Sequence, residues 1–526
     1  MKTMLMRHRP EIKKWRLAIM LLLMMVAVFG YLPVNARGQE RGVSALEARV
    51  KAQTEILKLL EEANRLENEG QVDAAVPLIE QALALSEKSL GTEDANAGMV
   101  LVNLARLYEK KNEIERSIGL YERAARVLEK ANGPEHSTVA LPLSGLASLY
   151  AKKGDYERAE ATYRRTLSIQ EKTSGPENAS VALTLNFLSS LLMRKGDFAQ
   201  AEPLLLRAIA IREKASGPED VLVAVMLNNL ATLYDAQADY ARAEPLFLRA
   251  IAIYEKSTGL ELQITRTLNN LAALYRSKGD YTQSEAHLER ALALGEKTLG
   301  PEHTDVATSL NSLGQLSFIK GDLERAAQFF RRALSIQEKA LGAEHREVAA
   351  TLNNLALYYQ ERKSYAEAEK LLQRALSIYE KALGAEHLEV ATALDNLAVL
   401  YHEMGDPARA ETFIKRALQI REQQLGTNHP SVAIALNNLA AISEAKGDYA
   451  SAEPLYRRAL EIEERALGAR HPTVASQLAN LATMLWSKGD TEQSVNSLRC
   501  VAEIREHNLD YILATGSEEQ KRLYLV

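Results

Sequence analysis

The sequence repeats itself every 42 residues over most of its length. A Leu-Ala-x-x-Tyr pattern occurs at residues 271–275, 355–359 and 397–401. The small residue of this pattern recurs in eleven copies, with a single-residue deletion between the fifth and the sixth. It lies at Ala63, Ala105, Ala147, Ser189, Ala231, Ala272, Gly314, Ala356, Ala398, Ala440 and Ala482. A period of this length is typical of a solenoid of stacked repeats, here over residues 56–507.

Each repeat has the pattern of two helices joined by a tight turn. A second small residue follows the first by twelve positions, which leaves two places where helix axes can approach closely. Between them lies Gly-Asp, as at residues 154–155, 321–322 and 447–448. Glycine commonly ends a helix and aspartate commonly caps the next one. The pattern therefore predicts a first helix, called A, and a second helix, called B, in every repeat.

These positions resemble the signature of the tetratricopeptide repeat (TPR) family. The ninth repeat shows it at Leu397, Ala398, Tyr401, Gly405, Ala410, Ile414 and Ala417. The resemblance implies an all-α fold, a TPR superhelical solenoid of about eleven 42-residue helix-turn-helix repeats. It also implies a scaffold that binds a protein or peptide partner in its concave groove.

The chain departs from the common 34-residue form of this family at one position in every repeat. Where the family usually has the proline that ends helix B, this chain has glutamate, which allows helix B to continue. The glutamates are Glu87, Glu129, Glu171, Glu213, Glu255, Glu296, Glu338, Glu380, Glu422, Glu464 and Glu506. A 42-residue unit with linkers such as residues 427–430 and 469–472 is similar to the repeats of kinesin light chain and its bacterial relatives.

Residues 1–36 have the layout of a secretory signal. Basic residues between positions 7 and 16 precede an uncharged run at residues 17–32, and Val34 and Ala36 offer small residues for cleavage. The alternative is an uncleaved anchor, because an uncharged stretch of about 20 residues can span a bilayer as a helix. Both interpretations place the repeats outside the cytoplasm, in the periplasm or the extracellular space. Membrane contact is expected only if this segment remains attached. Residues 37–55 form a linker or helix before the array.

Charge and cysteine content exclude several classes of function. Residues 1–36 carry a net charge of +5, so residues 37–526 carry −10 of the total of −5. Such an acidic body is not suited to a phosphate backbone, and we expect no nucleic-acid partner. The one cysteine, Cys500, allows no disulfide framework or multi-cysteine metal site, and we expect its thiol to be packed. No motif predicts a cofactor, a metal or catalysis.

Two periodic sets of side chains invite a functional interpretation. Histidine recurs in the linkers at His136, His303, His345, His387, His429 and His471. Repeats stack about 10 Å apart whereas zinc needs ligands about 2 Å away, so we expect these histidines to hydrogen-bond the turns. Arginine recurs on helix B at Arg123, Arg165, Arg207, Arg249, Arg290, Arg332, Arg374, Arg416 and Arg458. The arginines fit a solvated outer face paired with glutamates, and the alternative is a binding stripe.

Residues 508–526 depart from the repeat pattern and read as a connector or cap. They are similar to the segment that joins TPR arrays to the caspase-like CHAT domain in bacterial TPR-CHAT proteins. Two functions follow. The first is an extracytoplasmic scaffold that binds a peptide segment or a partner protein and is not an enzyme. The second is the regulatory TPR half of a TPR-CHAT peptidase, whose catalytic residues would lie outside this chain.

Asparagines in the middle of helix A are the candidate binding residues. Asparagine inside a helix lowers the stability of the helix, because its side chain competes for backbone hydrogen bonds. Its recurrence therefore indicates a role that offsets this cost. The twelve are Asn186, Asn228, Asn229, Asn269, Asn270, Asn311, Asn353, Asn354, Asn396, Asn437, Asn438 and Asn480. In TPR relatives this face lines the groove, where an amide can grip the main chain of a peptide. The alternative is a ladder of hydrogen bonds between repeats.

Overall fold

A computed structural model describes residues 36–515 of the chain, and the surroundings of side chains from residue 47 to residue 508. Within residues 36–515 the chain forms 22 α-helices and no strand. The predicted all-α repeat fold is therefore confirmed. The secretory signal lies outside the described residues apart from Ala36, and so does the connector beyond Thr515.

The helices alternate between A and B along the chain. The A helices have odd numbers: α1 Ala36–Asn68, α3 Ala95–Lys110, α5 Ala140–Lys153, α7 Ala179–Arg194, α9 Val221–Ala236, α11 Glu261–Ser277, α13 Thr304–Ile319, α15 Arg346–Glu361, α17 Leu388–Glu403, α19 Pro430–Ala445 and α21 Pro472–Lys488. The B helices have even numbers: α2 Val72–Leu90, α4 Ile114–Asn132, α6 Tyr156–Ser174, α8 Phe198–Ser216, α10 Tyr240–Glu255, α12 Tyr281–Thr298, α14 Leu323–Leu341, α16 Tyr365–Leu383, α18 Pro407–Leu425, α20 Tyr449–Leu467 and α22 Thr491–Thr515. A 3-10 turn at Ser137–Val139 precedes α5.

The described residues divide into two compact units, with the boundary between Leu146 and Ala147. In the first unit, α1 to α4 enclose a core that includes Ile56, Ile79 and Leu104. Ser117 lies at the second small position and its hydroxyl donates to the carbonyl oxygen of Ala105 at 2.7 Å, which joins helix B to helix A of the same repeat. The two small positions are therefore a point of close helix contact, as the sequence predicts.

None of the helices within residues 36–515 is both long enough and apolar enough to cross a membrane.

In the second unit, each helix packs against its neighbours in sequence, and the core continues from one repeat to the next. Ala356, Leu372 and Leu397 are fully or almost fully buried in one such stretch of core. The A helices also contact the A helices of neighbouring repeats, for example α11 with α13 and α13 with α15. No two B helices among residues 147–515 make contacts of comparable extent. The A helices therefore form the inner side of the array.

The B helices continue past the glutamate that replaces the family proline. Helix α14 runs through Glu338 to Leu341, and Gly342 follows as its C-cap. Helix α10 is an exception, because it ends at Glu255 and not just before Gly259. The single-residue deletion lies in the linker between α10 and α11. Because this linker is one residue shorter, it begins at an earlier position of the repeat, and α10 ends sooner. Its next helix begins after Leu260, which offers no side-chain cap.

Candidate functional site

The inner side of the second unit is lined by four positions on each A helix. On α15 these are Ala350, Asn354, Leu357 and Glu361, which are exposed or half-buried. Their spacing of four, three and four residues places them on one face of the helix. The other sets are Leu183, Phe187, Ser190 and Arg194 on α7; Val225, Asn229, Thr232 and Ala236 on α9; Arg266, Asn270, Ala273 and Ser277 on α11; Thr308, Ser312, Gln315 and Ile319 on α13; Thr392, Asn396, Val399 and Glu403 on α17; Ile434, Asn438, Ala441 and Ala445 on α19; and Ser476, Asn480, Thr483 and Ser487 on α21. We call these residues the inner face.

The inner face is almost free of charge. Its ionisable members are Arg194, Arg266, Glu361 and Glu403, two of each sign. Arg266 already forms an ion pair, because its Nε lies 2.7 Å from Oδ1 of Asp305 in the next repeat. Amides, hydroxyls and exposed apolar side chains make up most of the rest. The exposed apolar members include Phe187, Ile319, Leu357, Val399 and Ile434.

The predicted asparagines fall into two structural groups. The first group precedes the Leu-Ala step by two residues and comprises Asn186, Asn228, Asn269, Asn311, Asn353 and Asn437. Asn186, Asn269 and Asn353 are buried, at 5%, 9% and 7% exposure, and the others are half-buried. The second group directly precedes the step and lies on the inner face as Asn229, Asn270, Asn354, Asn396, Asn438 and Asn480. The expectation that all twelve line a groove is therefore wrong for the three buried residues.

Several asparagines connect neighbouring repeats. The side-chain amide of Asn229 donates from Nδ2 to Oδ1 of Asn186 at 2.8 Å. The same bond joins Asn270 to Asn228 at 3.0 Å and Asn480 to Asn437 at 2.9 Å. Because one amide supplies two N–H donors and one acceptor, a ladder bond uses only part of its capacity. The ladder and a role in binding are therefore compatible.

Other members of the first group reach forward to hydroxyl groups. Nδ2 of Asn311 donates to Oγ1 of Thr351 at 2.7 Å, and Nδ2 of Asn269 donates to Oγ of Ser309 at 3.1 Å. Oδ1 of both asparagines is buried and has no hydrogen-bond partner within the described residues. These two side chains therefore serve the repeat interface.

Two inner-face asparagines form no such hydrogen bond between repeats within the described residues. Asn396 on α17 and Asn438 on α19 make no side-chain hydrogen bond within the part of the chain that the structure describes. Both are half-buried, so their amides are accessible from the inner side. An Asn costs helix stability relative to Ala unless its side chain finds a partner. Asn396 and Asn438 are therefore the best-placed amides for an external main chain.

A second polar strip borders the inner face, at the position that follows the signature tyrosine. Burial raises the pKa of Asp235 to about 6, and the nearby Arg276 guanidinium opposes this shift. Nη1 of Arg276 donates to Oε1 of Gln315 at 2.7 Å. At the same position of the last repeat, Trp486 is 62% exposed. The side chain at this position is acidic in Asp235, basic in Arg276 and aromatic in Trp486. The strip can therefore distinguish between the side chains of different ligands.

Five of the six linker histidines cap A helices, and His136 caps the 3-10 turn that precedes α5. In each case Nδ1 of the ring accepts a hydrogen bond from the backbone N–H two residues later, as in His345 with Glu347 at 3.3 Å. The same bond is made by His136, His303, His387, His429 and His471. The predicted role in the turns is confirmed. No group of three or more His, Cys, Asp or Glu side chains within the described residues is placed to hold a metal ion.

The arginine ladder pairs with the glutamates that replace the family proline. Nη2 of Arg374 lies 2.7 Å from Oε1 of Glu338, one repeat earlier. The other pairs are Arg123–Glu87, Arg207–Glu171, Arg249–Glu213, Arg290–Glu255, Arg332–Glu296, Arg416–Glu380 and Arg458–Glu422. The predicted outer face of ion pairs is confirmed for these residues. The sequence contained the signal, since both residues recur with the same period.

Cys500 does not behave as expected. The sequence predicts a packed thiol, but Cys500 is exposed on α22. Cys500 occupies the position that holds the ladder arginines in earlier repeats, such as the half-buried Arg458. It therefore lies on the outer face.

The chain belongs to the tetratricopeptide repeat family. The sequence profile of this family matches residues 56–130, 114–172, 138–213, 180–256, 263–339, 347–423, 404–462 and 431–507. Together these windows cover residues 56–507 except residues 257–262 and 340–346. The fold is that of a repeat scaffold suited to protein–protein interaction.

Solved structures with similar repeats include BtubC (BKLC) from P. vanneervenii, at 27% identity over 44% of this chain and 91% of that one, with a TM-score of 0.36. A putative kinesin light chain from Podosopora anserina with nearly identical TPR-like repeats matches at 25% identity over 40% and 98%, with a TM-score of 0.34. A tetratricopeptide repeat protein from Parabacteroides merdae matches at 19% identity over 58% and 99%, with a TM-score of 0.42. A search of the curated proteins found no match.

Proposed function

We propose that this chain is an exported, non-catalytic scaffold that binds an extended peptide segment of a partner protein along the inner face of its second unit. The observation that carries this proposal is the pair Asn396 and Asn438. They present amides on an almost uncharged face and use none of their hydrogen-bonding capacity within the described residues. A peptide main chain offers the matching donors and acceptors whatever its side chains are.

The composition of the inner face indicates the kind of segment that fits. Exposed Val399 and Leu357 lie next to the asparagines and can cover apolar side chains of a ligand. The few charges are two of each sign, so they favour neither an acidic nor a basic peptide. We therefore expect an uncharged segment with apolar side chains. Long-range electrostatic attraction contributes little to its capture.

Export is part of the proposal because the basic, apolar and small-residue order of residues 1–36 is typical of a secretory signal. Mass spectrometry of the protein from fractionated cells tests it. We expect the protein in the extracytoplasmic fraction, with a mature N-terminus at Arg37 or with the apolar segment retained in the membrane fraction. Recovery of the intact chain as a soluble cytoplasmic protein would contradict export.

Site-specific photo-cross-linking in the native organism tests the binding face. A photoreactive amino acid at Val399, on the inner face, should form a cross-link to a partner protein. The same amino acid at Gln373, which is exposed on helix B, is the matched control. We expect an adduct at Val399 that is weak or absent at Gln373.

The double variant Asn396→Ala/Asn438→Ala then separates specific binding from simple proximity. The adduct at Val399 should fall several-fold, because the ligand loses its main-chain hydrogen bonds. Circular dichroism should show an unchanged thermal midpoint, since neither amide has a partner within the described residues. An equal adduct at both labelled positions, or an adduct that survives the double variant, would refute the inner face as the binding site.

A further inference from the structure

Helix α22 is the last helix of the described array, and its side chain Leu498 is 48% exposed. At the same position of the four preceding repeats, the next helix A covers the side chain and leaves at most 3% of it exposed. These four side chains are Phe330, Leu372, Ile414 and Tyr456. Leu498 is therefore a core side chain without the helix that covers its equivalents.

Three further side chains are exposed on the same side of α22. Val495, Leu498, Ala502 and Arg505 follow each other at spacings of three, four and three residues, so they share one side of the helix. Val495 is 49% exposed, although the three preceding repeats have glutamate at its position. This end of the array is therefore more apolar than the repeat pattern requires. We call these four residues the end stripe.

The opposite end of the array is polar. Helix α1 exposes Lys58, Glu62 and Arg65 at positions where later A helices bury alanine or leucine. Leu397, for example, stands at the position of Glu62 on α17 and is fully buried in the core. The terminal repeats of a solenoid need a polar outer face to remain soluble. Helix α1 has such a face and α22 does not, and a polar α1 is a poor cover for the end stripe of another copy.

We propose that the end stripe is the contact of a symmetric dimer, in which α22 of a second copy takes the place of a following helix A. A helix A that follows a helix B across a short linker runs antiparallel to it. A two-fold axis perpendicular to α22 brings the second α22 into this same antiparallel direction. Because such an interface uses the same patch on both copies, each end stripe covers the other.

One register of the two helices satisfies both size and charge. With the two-fold axis beside Leu498, the two Leu498 side chains meet, and Val495 faces the small Ala502 of the second copy. The same register sets Glu492 opposite Arg505 of the second copy. Both of these side chains are exposed, and neither forms an ion pair within the described residues. The dimer therefore gains two ion pairs of opposite charge, one on each side of the axis.

The dimer does not depend on the proposed function, because the end stripe and the inner face are different surfaces. A dimer carries two inner faces, so it can hold two partner segments at once. This last consequence rests on the proposed function.

Sedimentation velocity of the purified chain tests the dimer. We expect the wild type to sediment as a dimer at micromolar concentration. Leu498→Glu should raise the dissociation constant at least about tenfold, because two carboxylates then meet at the axis. Leu206→Glu is the matched control, since Leu206 on α8 is also 48% exposed but lies far from α22 in the sequence. Circular dichroism should show unchanged helix content in both variants. A monomeric wild type, or a dimer that survives Leu498→Glu, would overturn the proposal.

A disulfide test places the axis. Leu498→Cys in a Cys500→Ser background should form a dimer linked by a disulfide under mild oxidation, because the two side chains meet at the axis. Wild-type Cys500 lies on the outer face and should not be cross-linked. The reverse result, with cross-linking through Cys500 alone, would contradict a contact through the end stripe.

A charge exchange tests the register. Glu492→Arg and Arg505→Glu should each weaken the dimer, because each places like charges opposite one another. The double variant Glu492→Arg/Arg505→Glu restores opposite charges and should recover the wild-type dissociation constant. Single variants as tight as the wild type, or a double variant weaker than both, would refute this register. Photo-cross-linking at Val399 reports on the inner face separately, so failure of the dimer and failure of the proposed function give different results.

Discussion

Arg421 and Asp395 form a buried ion pair between helices α18 and α17, with Nη1 of the arginine 2.9 Å from Oδ1 of the aspartate. A second bond joins Nη2 to Oδ2. Arg421 and Asp395 are 6% and 7% exposed. One repeat earlier, the same two positions hold Tyr379 and Asn353, which are also buried. The array therefore fills one interior site either with an ion pair or with a neutral pair.

This equivalence predicts a rescue. Asp395→Asn leaves the Arg421 guanidinium buried without its counter-charge, which should cost about 3 kcal/mol or more of local stability. The double variant Asp395→Asn/Arg421→Tyr rebuilds the neutral pair of the preceding repeat and should recover most of that loss. Native-state hydrogen exchange of α17 and α18 measures both effects. A double variant no more stable than the single one would show that the two repeats are not interchangeable at this site.

Glu463 occupies the equivalent position of the tenth repeat without a charged partner. It is 2% exposed, and its Oε1 accepts from Nε2 of Gln477 at 3.3 Å. Its Oε2 is buried and has no partner within the described residues. Burial raises the pKa of this carboxyl, and the bond from Gln477 opposes the shift. Folding therefore makes protonation of Glu463 easier than it is in the unfolded chain.

Replacing Glu463 by Gln should consequently raise the thermal midpoint near neutral pH, because a neutral amide avoids the cost of burying a charge. The folded-state pKa lies above the unfolded one, so the contribution of Glu463 is fully present below the unfolded value and is lost as the pH rises through the folded value. The gain should thus vanish near pH 4. Thermal midpoints at the two pH values measure it. Glu464→Gln, at an exposed neighbour, is the control and should change neither midpoint.

The glutamate that replaces the family proline sets the length of helix B. Glu338→Pro should cost about 3 kcal/mol, because proline removes a helical hydrogen bond inside α14 and clashes with the preceding turn. Glu338→Ala removes only the partially exposed ion pair with Arg374 and should cost less than about 1 kcal/mol. Hydrogen exchange at the end of α14 distinguishes the two variants. Equal effects would mean that the ion pair, and not the helix, requires glutamate.

The features that could be predicted from the sequence are those that depend on neighbouring residues. Glycine and aspartate between helices, histidine at the linkers and the small residues at helix crossings act within a few residues of their own position. The small residues recur eleven times, Gly-Asp seven times and the linker histidine six times. A local rule repeated that often is easily recognised, so the helix pairs and their caps were predictable.

Two kinds of feature could not be predicted in this way. Adjacent asparagines such as Asn269 and Asn270 point about 100° apart on a helix of 3.6 residues per turn, so only one of them can line the inner face. The contact of His429 with Arg194 depends on the rotation accumulated over several repeats, which no single repeat encodes. Only Asp395 marks the ion pair in the sequence, because the other repeats from the fourth to the tenth have Asn at its position, whereas the position of Arg421 varies from repeat to repeat.

The last prediction separates the ladder from the binding face. Nδ2 of Asn229 is the donor to Oδ1 of Asn186, a side chain only 5% exposed. Asn229→Ala should therefore leave a buried acceptor unpaired and cost about 1–2 kcal/mol. Asn396→Ala, the matched change at an amide without a partner in the described residues, should leave the stability unchanged or raise it slightly, since Ala is the better helix former.

Thermal unfolding of the two variants, with hydrogen exchange at α7 and α9, provides the comparison. A clear loss for Asn229→Ala alone would assign Asn229 to the repeat interface and leave Asn396 available for a partner. Equal losses would mean that the amide of Asn396 also supports the stack, and the inner face would then lose the residue on which the binding proposal depends. No loss in either variant would show that the bond from Asn229 to Asn186 contributes nothing net, because water can replace a donor at a half-buried position.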